Sequence, residues 1–136
     1  MKIDNLDLVR KSIEARSLAY APYSNFLVGA ALLGADGQVF LGANIENAAF
    51  TPGICAERSA FAVAITSGVM QFSAIAVAGW QQGKDSGQAF PCGVCRQFMV
   101  EFCKGDFVVL IAQGGDNYTT HTLGELLPHS FGPDDL

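Results

Sequence analysis

The segment Pro91-Cys92-Gly93-Val94-Cys95 sets two cysteines three residues apart. If it opens a helix, both sulfurs face one point in the first turn, a spacing suited to a metal ion. Taken alone the pair is ambiguous among a zinc site, a redox dithiol and two packed thiols. Cys55 shifts the balance toward zinc. It too precedes an expected helix, and a third thiolate leaves a tetrahedral Zn²⁺ one open position, the mark of a catalytic rather than a structural site. Helix N-termini also favour ionised sulfur, because exposed backbone N–H groups and the positive end of the dipole stabilise negative charge there.

Glu57 stands two residues from Cys55, in a helix otherwise lined with Ala, Ser and Phe. It lies too close along the chain to share Cys55's face as a further ligand. It is better placed as a general base toward water at the open position, and then as a proton donor. Its plainer role is a capping carboxylate. Three thiolates on Zn²⁺ leave a net charge of about −1 and weaken the acidity of a bound water relative to a site of neutral imidazoles. Arg58, three residues after Cys55 on the same helical face, can donate to ligand sulfurs and offset that charge, the alternative being a surface ion pair. Arg96, four residues beyond Cys92, can do the same or simply anchor its helix end. A metal site with an unligated Glu and a Pro-Cys-x-x-Cys segment resembles the arrangement in zinc deaminases, which act at C4 of cytosine or C6 of adenine.

These residues need elements to carry them. Asn5 or Asp4 can cap a helix running to about residue 20, with Leu6, Val9, Ile13 and Leu18 near one face and Pro22 ending it. Residues 26–33 and 38–42 are joined through Ala35-Asp36-Gly37 and read as a hairpin leading into Asn44. Residues 55–66 have the Ala-rich composition of a buried helix, stopped by Gly68 in a left-handed cap. A strand over 72–80 and a polar loop over 81–89 follow, and Pro91 then opens a helix from 92 to about 103. The remainder predicts a strand at 107–112, a turn at Gly114-Gly115-Asp116, a short strand at 118–121 and a small helix at 123–127 closed by Pro128. Helices alternating with short strands predict an α/β layered sheet, mixed in direction because its first two strands form a hairpin.

The chain has 136 residues, half of them hydrophobic, enough for one core, so a single domain over 1–136 is the expectation. A chain of this size needs no disulfide framework. The segment 1–16 interleaves charges with Leu6, Leu8, Val9 and Ile13, unlike the continuous apolar run of a signal peptide or membrane span, so a cytoplasmic protein is expected. Thirteen acidic against eight basic side chains give a net charge of −5, with the cations scattered, which argues against a polynucleotide partner. Ten phenylalanines and a mean hydropathy of +0.29 point to apolar surface buried between subunits.

Three runs, Asn44-Ile45-Glu46-Asn47-Ala48, Cys55-Ala56-Glu57-Arg58 and Pro91-Cys92-Gly93-Val94-Cys95-Arg96-Gln97, together resemble cytidine deaminase, in its short, three-cysteine, homotetrameric branch. Phe26-Leu27-Val28-Gly29-Ala30-Ala31 resembles that family's first strand, and Leu126-Leu127-Pro128 with Phe131 its C-terminal segment. The resemblance implies a three-layer α/β/α fold around a mixed five-stranded sheet. It implies zinc on Cys55, Cys92 and Cys95, with Glu57 moving protons while cytidine and deoxycytidine become uridine and deoxyuridine. It further implies that Asn44 and Glu46 hydrogen-bond the ribose, although two such residues just past a strand end can also be mere turn formers. Phe26 would pack on the pyrimidine, the Ala56 N–H would serve its carbonyl oxygen, and Phe131 would reach the base of a neighbouring subunit in a tetramer with shared active sites.

Two departures stand out. Phe50 occurs where relatives tend to have Tyr, and it lacks the hydroxyl that reaches the sugar's 5′ end; Phe90 occurs where they often have a small polar residue. Cys103, His121 and His129 match no ligand position. Competing readings are a deaminase of a modified cytosine nucleoside, a zinc module that only staples two helices and therefore needs a fourth protein ligand, and a polynucleotide editor, which the net acidity disfavours.

Overall fold

A computed structural model describes residues 3–136. Asp4 caps the first helix, α1 (Asn5–Ala15), by accepting a 2.8 Å hydrogen bond from the Asp7 N–H. The strands β1 (Phe26–Gly34) and β2 (Val39–Ala43) form an antiparallel hairpin whose turn uses Gly37 at φ 92°. Helix α2 (Ala56–Thr66) follows, with Gly68 at φ 92° just past its end, and then β3 (Phe72–Gln81). Helix α3 (Gly93–Phe102) links β3 to its parallel neighbour β4 (Val108–Gly114). A Gly114-Gly115 turn leads to β5 (Asn117–Thr122), and the short α4 (Leu123–Leu126) comes next.

The five strands are ordered β2-β1-β3-β4-β5, antiparallel except for the β3–β4 pair. Period-two alternation divides the sheet residues between two buried faces. Ala30, Leu32, Ile75, Val77, Val109 and Ile111 point to the face covered by α2 and α3. Ala31, Ala74, Ala76, Ala78, Leu110 and Ala112 point to the face covered by Leu8 and Val9 of α1. The result is the mixed five-stranded α/β/α architecture expected from the sequence.

Close seating of the helices depends on two glycines. A Cβ on Gly29 would lie 2.2 Å from the Ser12 carbonyl oxygen of α1, and one on Gly42 would lie 2.4 Å from the Ala56 carbonyl oxygen and the Ala60 nitrogen of α2. Ala56, Ala60 and Ala64 are fully buried, so α2 presses its smallest side chains against the sheet.

The first helix is shorter than its sequence pattern predicts. It ends at Ala15, and a 3₁₀ turn (Arg16–Leu18) precedes extended backbone at Ala19. Arg16 supplies the reason: its guanidinium donates to the Leu27 and Trp80 carbonyls at 3.0 and 2.8 Å and lies 4.2 Å over the Trp80 ring. By Tyr20 the chain already pairs with the segment after β2, with Tyr20 N–H donating to Asn44 O and Glu46 N–H to Tyr20 O. The other boundaries move by a residue or two at each end.

Candidate active site

The three cysteines meet because two helix N-termini converge. Cys55 is the N-cap of α2 and Cys92 the N-cap of α3, where Cys92 Sγ accepts a hydrogen bond from the Cys95 N–H at 3.4 Å. The Cys55 and Cys92 sulfurs are 3.7 Å apart, and all three lie within 4.8 Å of one another. Four-coordinate zinc with Zn–S bonds of about 2.3 Å holds its sulfurs roughly 3.8 Å apart, so the trio fits that ion in donor type and spacing. Among the described residues no fourth His, Cys, Asp or Glu joins the group, which is the composition of an open site rather than a closed structural one.

One of the three sulfurs is already polarised toward ligation. Cys55 is drawn down to about 5, foremost by its hydrogen bond with Cys95 and further by Arg58 and Cys92. Cys95 is the partner that keeps its proton, pushed up by that same bond and by burial. Arg58 Nη2 donates to Cys55 Sγ at 3.6 Å, and the two sulfurs hold its guanidinium firmly protonated. Arg96 goes elsewhere. It donates to the Pro91 and Leu126 carbonyls, each at 2.7 Å, and so ties the entry of α3 to α4 instead of touching a sulfur.

Glu57 is 4% exposed in the first turn of α2. Burial pushes its carboxyl up to about 7, with the Cys55 sulfur adding to the push against the opposing Glu57 backbone N–H. A carboxyl poised there can both accept and return a proton near neutrality.

A cavity of about 600 Å³ opens over this centre. Glu57, Cys55, Cys92, Ala56, Asn44 and Glu46 line it together, and Phe26, Val28 and Val77 supply apolar wall. The polar pair is held by backbone. Asn44 Oδ1 accepts from Val28 N–H and its Nδ2 donates to Phe26 O, both at 2.9 Å. Glu46 Oε1 accepts from the Tyr23 and Ser24 N–H groups, and its Oε2 from the Ser24 hydroxyl. That carboxylate therefore sits below its usual range, chiefly because of Ser24.

Phe50 and Phe90 also line the cavity, Phe50 80% exposed at φ 63° and Phe90 edge-on to the His121 ring at 5.1 Å. Phe131 does not line it. It is exposed, and its carbonyl accepts from Gln97 Nε2 of α3 at 2.8 Å. Sequence reasoning missed Ser24, Tyr23 and Ile54. Ser24 occupies an ordinary turn before β1, and its partner Glu46 is 22 residues away, so no local spacing signals the contact.

Comparison with known proteins agrees with this geometry. Residues 2–111 match the family model described as the cytidine and deoxycytidylate deaminase zinc-binding region. The chain is 44% identical to a cytidine deaminase of Sporosarcina psychrophila, over 95% of this chain and 92% of that one. It is 42% identical to one of Halalkalibacterium halodurans, over 98% of each. A crystal structure of cytidine deaminase from Burkholderia pseudomallei superposes with a TM-score of 0.86 at 41% identity, covering 95% of this chain and all of the other. A buried carboxyl beside three convergent sulfurs lines this cavity, the family model spans most of the sequence and the relatives align along nearly their whole length, and the chain belongs to the cytidine and deoxycytidylate deaminase family.

Proposed function

We propose that this protein hydrolyses the exocyclic amino group of cytidine and deoxycytidine, releasing ammonia and leaving uridine and deoxyuridine, and that Cys55, Cys92 and Cys95 hold one zinc ion while Glu57 moves the protons. The observation that carries the reading is the Glu57 carboxyl, raised to about 7 by burial beside the three sulfurs. Bound there, zinc supplies a Lewis acid that makes water acidic enough to attack at neutral pH.

The chain's own groups account for the rest. Glu57 accepts a proton from the attacking water and delivers it to N3 of the pyrimidine, so that C4 gains oxygen as the ring loses its aromaticity. The same carboxyl then carries the second water proton to the amino nitrogen, and the C4–N bond breaks to release ammonia. Arg58 offsets the negative charge of three thiolates. Arg96 keeps Pro91 and hence Cys92 in place. The Ala56 N–H serves the base's carbonyl oxygen, Phe26 packs on the ring, and Asn44 and Glu46 take the sugar hydroxyls, which their free acceptor and donor sites permit.

The whole chain acts as one domain in this reading, and it works as a homo-oligomer, a tetramer with shared sites. Support comes from Phe131, which is exposed and does not line its own cavity, so that a base it touched would be a neighbour's. A cytoplasmic location is supported by four cysteines outside any disulfide, three of them given to zinc in this reading, a usage that suits a reducing compartment. No helix among the described residues is long and apolar enough to cross a membrane.

The test is ammonia release from cytidine by zinc-loaded protein, run beside Glu57→Gln. Turnover in the wild type alone, with equal zinc in both, supports the assignment. Zinc bound without wild-type turnover on any cytosine nucleoside would leave only a structural metal module.

A further inference from the structure

The contacts around Glu46 go beyond a residue that waits for a sugar. A carboxylate offers about four acceptor positions. Two are taken on Oε1 by the Tyr23 and Ser24 N–H groups, at 2.9 and 3.2 Å, and one on Oε2 by the Ser24 hydroxyl. One position remains, on Oε2, and Glu46 lines the same cavity as Glu57.

Ser24 is itself fixed. Its Oγ accepts from the Phe26 N–H at 3.0 Å, which leaves its single proton free to point at Glu46. The turn that carries it is pinned at both ends: the Asn25 N–H donates to Ala21 O at 2.9 Å and the Gln82 N–H donates to Asn25 O at 2.8 Å, with Asn25 in the left-handed region at φ 56°. One hydroxyl thus joins the carboxylate assigned to the sugar to the backbone of the residue assigned to the base, whose carbonyl is held in turn by Asn44 Nδ2.

Resting on the deaminase reading above, we infer that Ser24 is a positioning residue for sugar recognition: by occupying one lone pair of Glu46 Oε2 it aims the other at a ribose hydroxyl. It touches no reacting atom. Its contribution belongs to binding of hydroxyl-bearing substrates and not to proton transfer at the base.

The test compares wild type, Ser24→Ala and Ser24→Thr on cytidine and on 2′,3′-dideoxycytidine, whose sugar ring has no hydroxyl to offer, with zinc content and melting temperature measured alongside. Loss of one hydrogen bond to a charged group predicts that Ser24→Ala raises KM for cytidine by about tenfold with kcat nearly unchanged. On the dideoxy substrate kcat/KM stays close to wild type, and Ser24→Thr recovers most of the cytidine KM. An unchanged KM for cytidine overturns the inference. So does an equal loss on both substrates with a lowered melting temperature, which makes Ser24 a fold contact only. A zinc-loaded wild type that releases no ammonia from cytidine overturns the deaminase reading first, and this one with it.

Discussion

Substituting Gly42 by Ala tests whether the helix bearing Cys55 and Glu57 is held at its working position by direct backbone contact with the sheet. A Cβ there would lie 2.4 Å from the Ala56 carbonyl oxygen and from the Ala60 nitrogen, and ordinary van der Waals contact begins at 3.4 Å, a shortfall of 1.0 Å. Both obstacles are backbone atoms of α2, so no rotamer change relieves the clash and the helix must lift off β2 by about that distance. Overpacking of this kind costs roughly 1–3 kcal/mol, which lowers the melting temperature by about 3–10 °C in a chain of this size.

The same displacement moves Cys55 and Glu57 relative to Cys92 and Cys95, which ride on α3. A 1 Å error in a catalytic arrangement costs about 10²-fold in rate. The assay is kcat/KM for cytidine below the melting temperature, with zinc stoichiometry determined on the same sample. Gly105→Ala is the control, because its added carbon would meet nothing closer than 3.8 Å. Gly42→Ala protein with wild-type melting and wild-type turnover would refute the claim of contact seating. Reduced melting with intact turnover would show that the seating supports the fold without setting the site.

Glu57→Gln is expected to lower kcat by about 10²–10⁴-fold, the usual worth of positioned acid–base catalysis, with zinc content unchanged by atomic absorption. In metal-free protein the Glu57 carboxyl is raised from 4.5 to about 7, so its contribution to stability is complete below about 4.5 and is lost as pH rises through about 7. That loss is about 3 kcal/mol from the size of the shift, and the difference between wild-type and Glu57→Gln urea midpoints across pH 4–8 should follow it; a pH-independent difference refutes it. Arg96→Ala removes two charge-assisted bonds and should cost about 2–4 kcal/mol. The same variant should also release zinc more readily to a chelator, whereas unchanged zinc retention would mean that Pro91 does not hold Cys92.

Much of the centre was legible because its chemistry is local. Cys92 and Cys95 share one helical turn, Cys55 and Glu57 another, and each pair sits at an N-terminus marked by composition. The layered sheet followed from strand-length apolar runs between helices. What was not legible depends on contacts between distant segments. The early end of α1 comes from Arg16 reaching carbonyls of β1 and β3, a tertiary pull that a helical periodicity cannot register. Arg96 could be read either as a partner of sulfur or as an anchor of its helix end, and only the fold shows that it takes the second role, through Leu126, 30 residues on. Ser24 left no mark at all, because a serine in a turn is unremarkable until its neighbour across the fold is known.

Asn44 has a consequence for the behaviour of the sheet edge. Paired β1–β2 register ends at Gly29 and Ala43, where the chain turns away and the cavity begins. Beyond that rung the Asn44 side chain acts as a surrogate strand, giving Val28 N–H an acceptor and Phe26 O a donor. The mouth of the cavity can therefore interrupt the sheet without exposing a row of unmet backbone groups, the feature that lets foreign strands add to an edge and seed aggregation. One amide side chain lets the protein keep a substrate-sized opening beside a strand end whose backbone groups stay paired.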